Sequence, residues 1–215
     1  MSEVYTKGIM EGYPNGYFGI GRYVTRAEAL RILERLMHKE KRVAIAGLKD
    51  QIIKVVPTKD GSYKKLIFPD LTMLKAYEVM EEAGKLRGTN YDLEETTLRL
   101  FKDGNAKAAA LSGATEAERN SNEASLWLDP KYLTYGVTVK VQDGVLARNN
   151  ESIRLFTNFI FGYQADTFYQ EFSKICEQVA KRQAVENTIV QIGDYSVEIS
   201  VQADGQTVIF SILHK

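Results

Sequence analysis

An α+β fold is predicted for this 215-residue chain by two observations in its C-terminal part and one nearer its start. From Tyr195 to Val201, Tyr195, Val197, Ile199 and Val201 alternate with Ser196, Glu198 and Ser200, the period-two pattern of a strand with one wet face. Gly193-Asp194 and Ala203-Asp204-Gly205 are tight turns, which make Thr188 to Ile192 and Thr207 to Leu213 its antiparallel neighbours. Upstream, Glu151 to Phe161 and Asp166 to Gln183 place Ile153, Phe156, Phe159 and Ile160, then Phe168, Phe172, Ile175, Cys176 and Val179, at helical spacing, with Gly162 as the break. Two helices therefore cover one side of a C-terminal antiparallel sheet. In the N-terminal part, the branched runs Val43-Ala44-Ile45 and Ile52 to Val56 precede a turn at Lys59-Asp60-Gly61-Ser62 and the stretch Tyr63 to Phe68, which together read as a hairpin.

The stretch Gly8 to Leu36, GIMEGYPNGYFGIGRYVTRAEALRILERL, has the most specific residue choices. In Gly12-Tyr13-Pro14-Asn15-Gly16, Pro14 fixes φ, Asn15 tolerates the bend and Gly16 accepts a positive φ, so the chain reverses there. Thr25-Arg26-Ala27-Glu28 then fits a capping box, with Thr25 as the cap and Glu28 reaching back. Behind it Ala29, Leu30, Leu33, Leu36 and Met37 recur at helical spacing, while Arg31, Glu34 and Arg35 fall on the other side. A loop thus feeds a short amphipathic helix. Arg26 takes the first helical position, where its guanidinium and the unpaired backbone N–H groups suit an anionic group. Solvation, or pairing with Glu11, is the alternative reading of the same residue.

Gly8-Ile9, Gly12-Tyr13-Pro14-Asn15-Gly16 and Phe18, then five residues, then Val24-Thr25-Arg26-Ala27-Glu28, resemble a repeat of the S-layer homology family. Such repeats run G-[IV]-x-x-G-Y-P-D-G-x-F, five residues, [IV]-T-R-A-E and a helix. The resemblance implies a cell-envelope module of Gram-positive-type bacteria that docks on anionic secondary cell-wall polysaccharide. Carried over residue by residue, it makes Arg26 the contact to the acidic sugar, with Tyr13 and Asn15 as loop contacts. It also implies a cell-surface or secreted location and a non-enzymatic role. One clear repeat is present where family members usually carry three, and Asn15 stands where Asp is usual. The second functional reading follows from that: a structural or protein–protein interaction module, or a homo-oligomer, in which the repeat is only a scaffold element.

The rest of the chain divides, on composition, into residues 1–101, a linker at 102–125 rich in Ala, Ser, Gly, Asn, Thr and Glu, and an α+β domain at 126–215. Phe68-Pro69-Asp70-Leu71-Thr72 opens a helix whose apolar face is Leu71, Leu74, Tyr77, Val79, Met80 and Ala83, and which Gly84 or Gly88 stops. Tyr91 to Phe101 reads as another short helix with Asp92 at its cap. Trp127, between Leu126 and Leu128, reads as an anchor in the core. Tyr132 to Val141 alternates as a strand, with Asp143-Gly144 as a turn and Val145-Leu146 as the hairpin's continuation.

Composition excludes several classes. Lysine plus arginine balances aspartate plus glutamate at 28 each, so no global field draws the chain to nucleic acid or an anionic membrane. No run approaches the roughly 18 apolar residues of a membrane span, and MSEVYTKG lacks the pattern of an export leader. Cys176 is the single cysteine, inside an apolar helical pattern, which leaves no intramolecular disulfide or cysteine metal site. No Walker loop, dinucleotide fingerprint, nucleophile elbow or calcium loop occurs, so no cofactor or metal is expected.

Overall fold

The computed structural model describes residues 4, 7–12, 23–43, 52–58, 61–113, 115–142 and 144–214. Its contacts group the chain into two compact units, Met1–Leu74 and Lys75–Lys215. The division falls inside a helix, Leu71–Lys85, and not at the expected linker.

In the first unit, α1 (Arg26–Met37) is followed by a 3-10 turn at Lys39–Lys41 and then by β1 (Ile52–Pro57) and β2 (Tyr63–Phe68). The two strands pair antiparallel from Ile52↔Phe68 to Pro57↔Tyr63, as the hairpin reading predicts. The Thr58 N–H donates to the Ser62 carbonyl at 2.8 Å and the two hydroxyls meet at 2.7 Å, closing the turn around Gly61, whose φ is +80°. α1 differs from expectation in orientation. Leu30, Leu33 and Met37 are 68, 54 and 77% exposed, whereas Arg35, assigned to the polar side, is buried.

α2 (Leu71–Lys85) starts as predicted, with Asp70 Oδ1 accepting the Met73 N–H at 2.7 Å. Gly84 does not stop it. A Cβ there would lie 2.7 Å from the Tyr91 ring and 2.9 Å from Leu98, so this glycine is a point of close approach.

The second unit is built on one antiparallel sheet: β3 (Tyr91–Glu94), β4 (Thr97–Leu100), β5 (Ala124–Asp129), β6 (Thr134–Lys140), β7 (Thr188–Ile192), β8 (Tyr195–Val201) and β9 (Thr207–His214). The spatial order is β3-β4-β5-β6-β9-β8-β7. Between β4 and β5 lie α3 (Gly104–Ser112), capped by Asp103, and α4 (Glu116–Arg119), with a capping box of Thr115 and Glu118. The 102–125 stretch is thus the connection between two hydrogen-bonded neighbours of one sheet. Its small residues make two short helices, the first of which buries Ala110, instead of an interdomain tether.

Two further expectations are corrected. Tyr91 to Phe101 is the β3–β4 hairpin and not a helix, because Leu98 and Leu100 sit opposite Leu126 and Ala124 of β5 and bury there. Asp92 is no cap; it faces Arg99 across the pair and accepts from its guanidinium at 2.5 Å. Val145-Leu146 begins α5 (Val145–Phe161) instead of a strand. The place beside β6 is taken by β9, and Glu123 accepts from both Arg148 and Asn149, which fixes the first turns of α5 against the sheet. Gly144, at φ +73°, supplies the bend that precedes it.

After a 3-10 turn, α6 (Ala165–Ala180) follows α5, and both cover one sheet face. Phe168 and Phe172 of α6 meet Phe210 of β9 at ring distances of 5.8 and 5.0 Å, and Phe161 stacks on Phe168 at 4.6 Å. Cys176 is fully buried here, and burial pushes its thiol up to about 12, so it packs as a small hydrophobe. The α+β class is as predicted. Among the described residues no helix is long and apolar enough to cross a membrane.

Trp127 is not a core anchor. On β5 buried and part-buried residues alternate strictly, which sends Leu126 and Leu128 to the helix-covered face and Trp127 to the opposite one.

Candidate functional site

The sequence dictates the start of α1 by local means, and the structure shows it. Thr25 is extended (φ −67°, ψ 158°); its Oγ1 accepts the Glu28 N–H at 3.2 Å, and Glu28 Oε2 accepts the Thr25 N–H at 2.8 Å. The Ala29 N–H is taken by the Thr25 carbonyl at 2.9 Å. Of the first-turn donors, this leaves the N–H groups of Arg26 and Ala27 without a place in the box.

Arg26 is the first residue of α1, and it is exposed. It makes no hydrogen bond or ion pair with a described residue. Tyr13 and Asn15, the two loop contacts implied by the resemblance, lie outside the described residues.

Glu11, the carboxylate that could have neutralised Arg26, is held by Arg35 instead. Arg35 is 8% exposed; its Nη2 donates to Glu11 Oε1 at 3.2 Å and its Nη1 to the Ile9 carbonyl at 3.3 Å. Arg42 Nε in turn donates to the Arg35 carbonyl at 3.0 Å, and Lys65 Nζ to the Glu11 carbonyl at 3.2 Å. Sequence reasoning missed Arg35 because helical periodicity assigns a guanidinium to solvent. A long side chain can bury its stem and still bring its head to a loop carbonyl. The signal that would have found it is the loop itself: a segment turning through glycines leaves carbonyls that need donors from elsewhere.

Gly8 and Gly12 both have positive φ, +66° and +69°. The Gly8 carbonyl accepts the Val43 N–H at 3.1 Å. Loop 8–12 is thus stitched to Val43 by backbone and to α1 by Arg35, which holds the loop close to the helix that carries Arg26.

Arg35→Ala is expected to loosen this loop, since the Ile9 carbonyl and the Glu11 carboxylate lose their donor; the cost is about 1–3 kcal/mol. Arg35→Lys will not restore it, because one ammonium cannot match the two-pronged geometry. Amide exchange at Ile9 and Met10, whose N–H groups donate to the Val4 carbonyl at 3.0 and 3.2 Å, is the readout. Unchanged protection in both variants would contradict the clamp.

The S-layer homology domain matches residues 1–30, which include loop 8–12, the cap and the first turn of α1. The rest of the chain is unrecognised. Neither a curated protein nor a solved structure matches the chain. S-layer homology domains are non-catalytic binding modules for cell-wall polymers, so the segment marks an association with the cell surface.

Proposed function

We propose that this S-layer-homology-bearing chain is a non-enzymatic cell-envelope protein that docks on anionic secondary cell-wall polysaccharide through Arg26. The observation that carries the reading is the Arg26 charge at the start of α1, which no described residue pairs. Arg35 has taken Glu11, the capping box has taken Thr25 and Glu28, and Arg26 is exposed at the first helical position, at the positive end of the helix dipole, where two backbone N–H groups have no place in the box. An acidic sugar carboxylate or phosphate placed there would receive charge-assisted bonds from the guanidinium and the helix end. Tyr13 and Asn15 belong to the same proposal as the loop's contribution.

Retention of the purified protein on cell-wall polysaccharide from a Gram-positive bacterium tests this. Arg26→Ala is expected to weaken binding about tenfold or more, the equivalent of losing one charged hydrogen-bonding group, and added salt should weaken the parent protein in the same direction. Equal retention of Arg26→Ala, or none by the parent, removes the anchoring role.

A second reading has its own observation. The exposed stripe of Leu30, Leu33 and Met37 is the kind of helix face that another protein, or another copy, would cover. Light scattering after size exclusion separates the two readings: a strict monomer that still binds polysaccharide argues against the second.

A further inference from the structure

We infer that Trp127 and the strand positions around it form a platform for a neutral pyranose chain, separate from the anionic site proposed at α1. The register puts Thr97, Trp127, Gly136, Ser211 and Glu198 in one row across the face of the sheet that α5 and α6 do not cover. The indole lies over Gly136: a Cβ at that position would be 2.0 Å from both Cε2 and Cζ2. The ring therefore occupies the room a side chain would take and rests on the β6 backbone. Its Nε1–H donates to Thr138 Oγ1 at 3.2 Å, which fixes the ring's rotation. Among the described residues no ring or cation stacks on it, and it stays part-exposed.

An indole held by its edge and lower face presents an upper π face, whose negative potential suits the C–H groups on one side of a pyranose. Short hydroxyls surround it. Thr97 and Ser211 lie in its own row, and Ser125 and Thr138 in the next, repeating at the strand spacing of about 4.8 Å, near the width of one sugar ring.

Charge selects among ligands. On this face Asp92, Glu94, Asp129 and Glu198 outnumber Arg99 and Lys140, and Arg99 is already paired with Asp92 and Glu94. A polyanion is repelled there, so an acidic sugar or a nucleic acid does not fit. The apolar residues of this face, Ile189, Ile209 and Leu213, lie two or more strands away from Trp127, while the positions next to the indole are Thr97, Ser125 and Thr138, so no continuous apolar patch surrounds it for a protein partner to cover.

Trp127 is the chain's single tryptophan, so selectively excited fluorescence reports this site alone. The full chain is titrated with cellohexaose, chitohexaose and, as the acidic comparison, polygalacturonate, with acrylamide as quencher. The neutral hexasaccharides are expected to shield the indole saturably, with Kd on the order of 0.1–1 mM, and polygalacturonate to do nothing. Gly136→Val keeps the fluorophore but lifts it from its seat, and should abolish shielding while circular dichroism shows the sheet intact. Trp127→Ala, followed by calorimetry, should lose the binding heat. Arg26→Ala should leave shielding unchanged, which separates this site from the one at α1. Three results overturn the proposal: no shielding by either neutral sugar; shielding undiminished in Gly136→Val; or quenching that falls with protein concentration in the absence of sugar, which would mean that a second copy covers the face.

Discussion

Gly8→Ala is expected to disrupt the packing of the N-terminal unit at a cost of about 3 kcal/mol or more, the sum of left-handed backbone strain and a steric conflict. Gly8 sits at φ +66°, a conformation that an L side chain occupies only under strain. The added methyl would also lie 2.2 Å from the Val43 carbonyl oxygen. That neighbour is backbone and cannot rotate aside. It belongs to the residue whose N–H bonds back to the Gly8 carbonyl at 3.1 Å, so relief of the clash breaks the bond. Loss of amide protection through residues 7–12 and Val43, with β5, β6 and β9 unchanged, is the expected pattern in hydrogen exchange. A variant as well protected as the parent would show that loop 8–12 is not held as described. Retention on polysaccharide should fall with it, because the loop that accompanies Arg26 is no longer fixed.

In the larger unit the greatest single loss is expected from Phe210→Ala, at about 3–5 kcal/mol. Phe210 is fully buried in a central strand, with the rings of Phe168 and Phe172 at 5.8 and 5.0 Å. Truncation opens a cavity between sheet and α6 and removes two aromatic contacts, each worth about 0.5–1.5 kcal/mol beyond area. In a chain of this size the unfolding midpoint should drop by about 10 °C, read by far-ultraviolet circular dichroism. A shift of a degree or two would mean that the core collapses to fill the gap.

What was legible in the sequence is what short-range chemistry decides. The Thr25–Glu28 box depends on a spacing of three residues, and the β7–β8–β9 meander on two tight turns, so both stand out without knowledge of the fold. The β1–β2 hairpin is local in the same sense. The misread segments depend on partners far along the chain. Tyr91 to Phe101 carries an acidic start that imitates a helix, and only pairing with Ala124 to Asp129 makes it a hairpin. Val145-Leu146 looks like a returning strand until β9 takes the position beside β6. Arg35 and the Leu30–Met37 stripe show the same limit on a helix: periodicity reveals that two faces exist, and tertiary contacts choose which one turns inward. Trp127 was placed in the core because its neighbours are leucines. In a strand the neighbours of a residue point the other way, so that proximity argued for the opposite face. The position of Arg26 at the helix start was legible from the cap alone.

The strand order sets a timetable for synthesis. β6 lies at the middle of the sheet, yet one of its two partners is β9, so while residues 207–214 are still inside the ribosome that flank of β6 has no ladder to join. The segments up to β6 can pair as they emerge, but the face that Phe168 and Phe172 seal is incomplete until Phe210 arrives. Closure of this unit is therefore a late, long-range event, slow by the standards of helical domains, and it leaves a nascent strand edge in need of protection during translation.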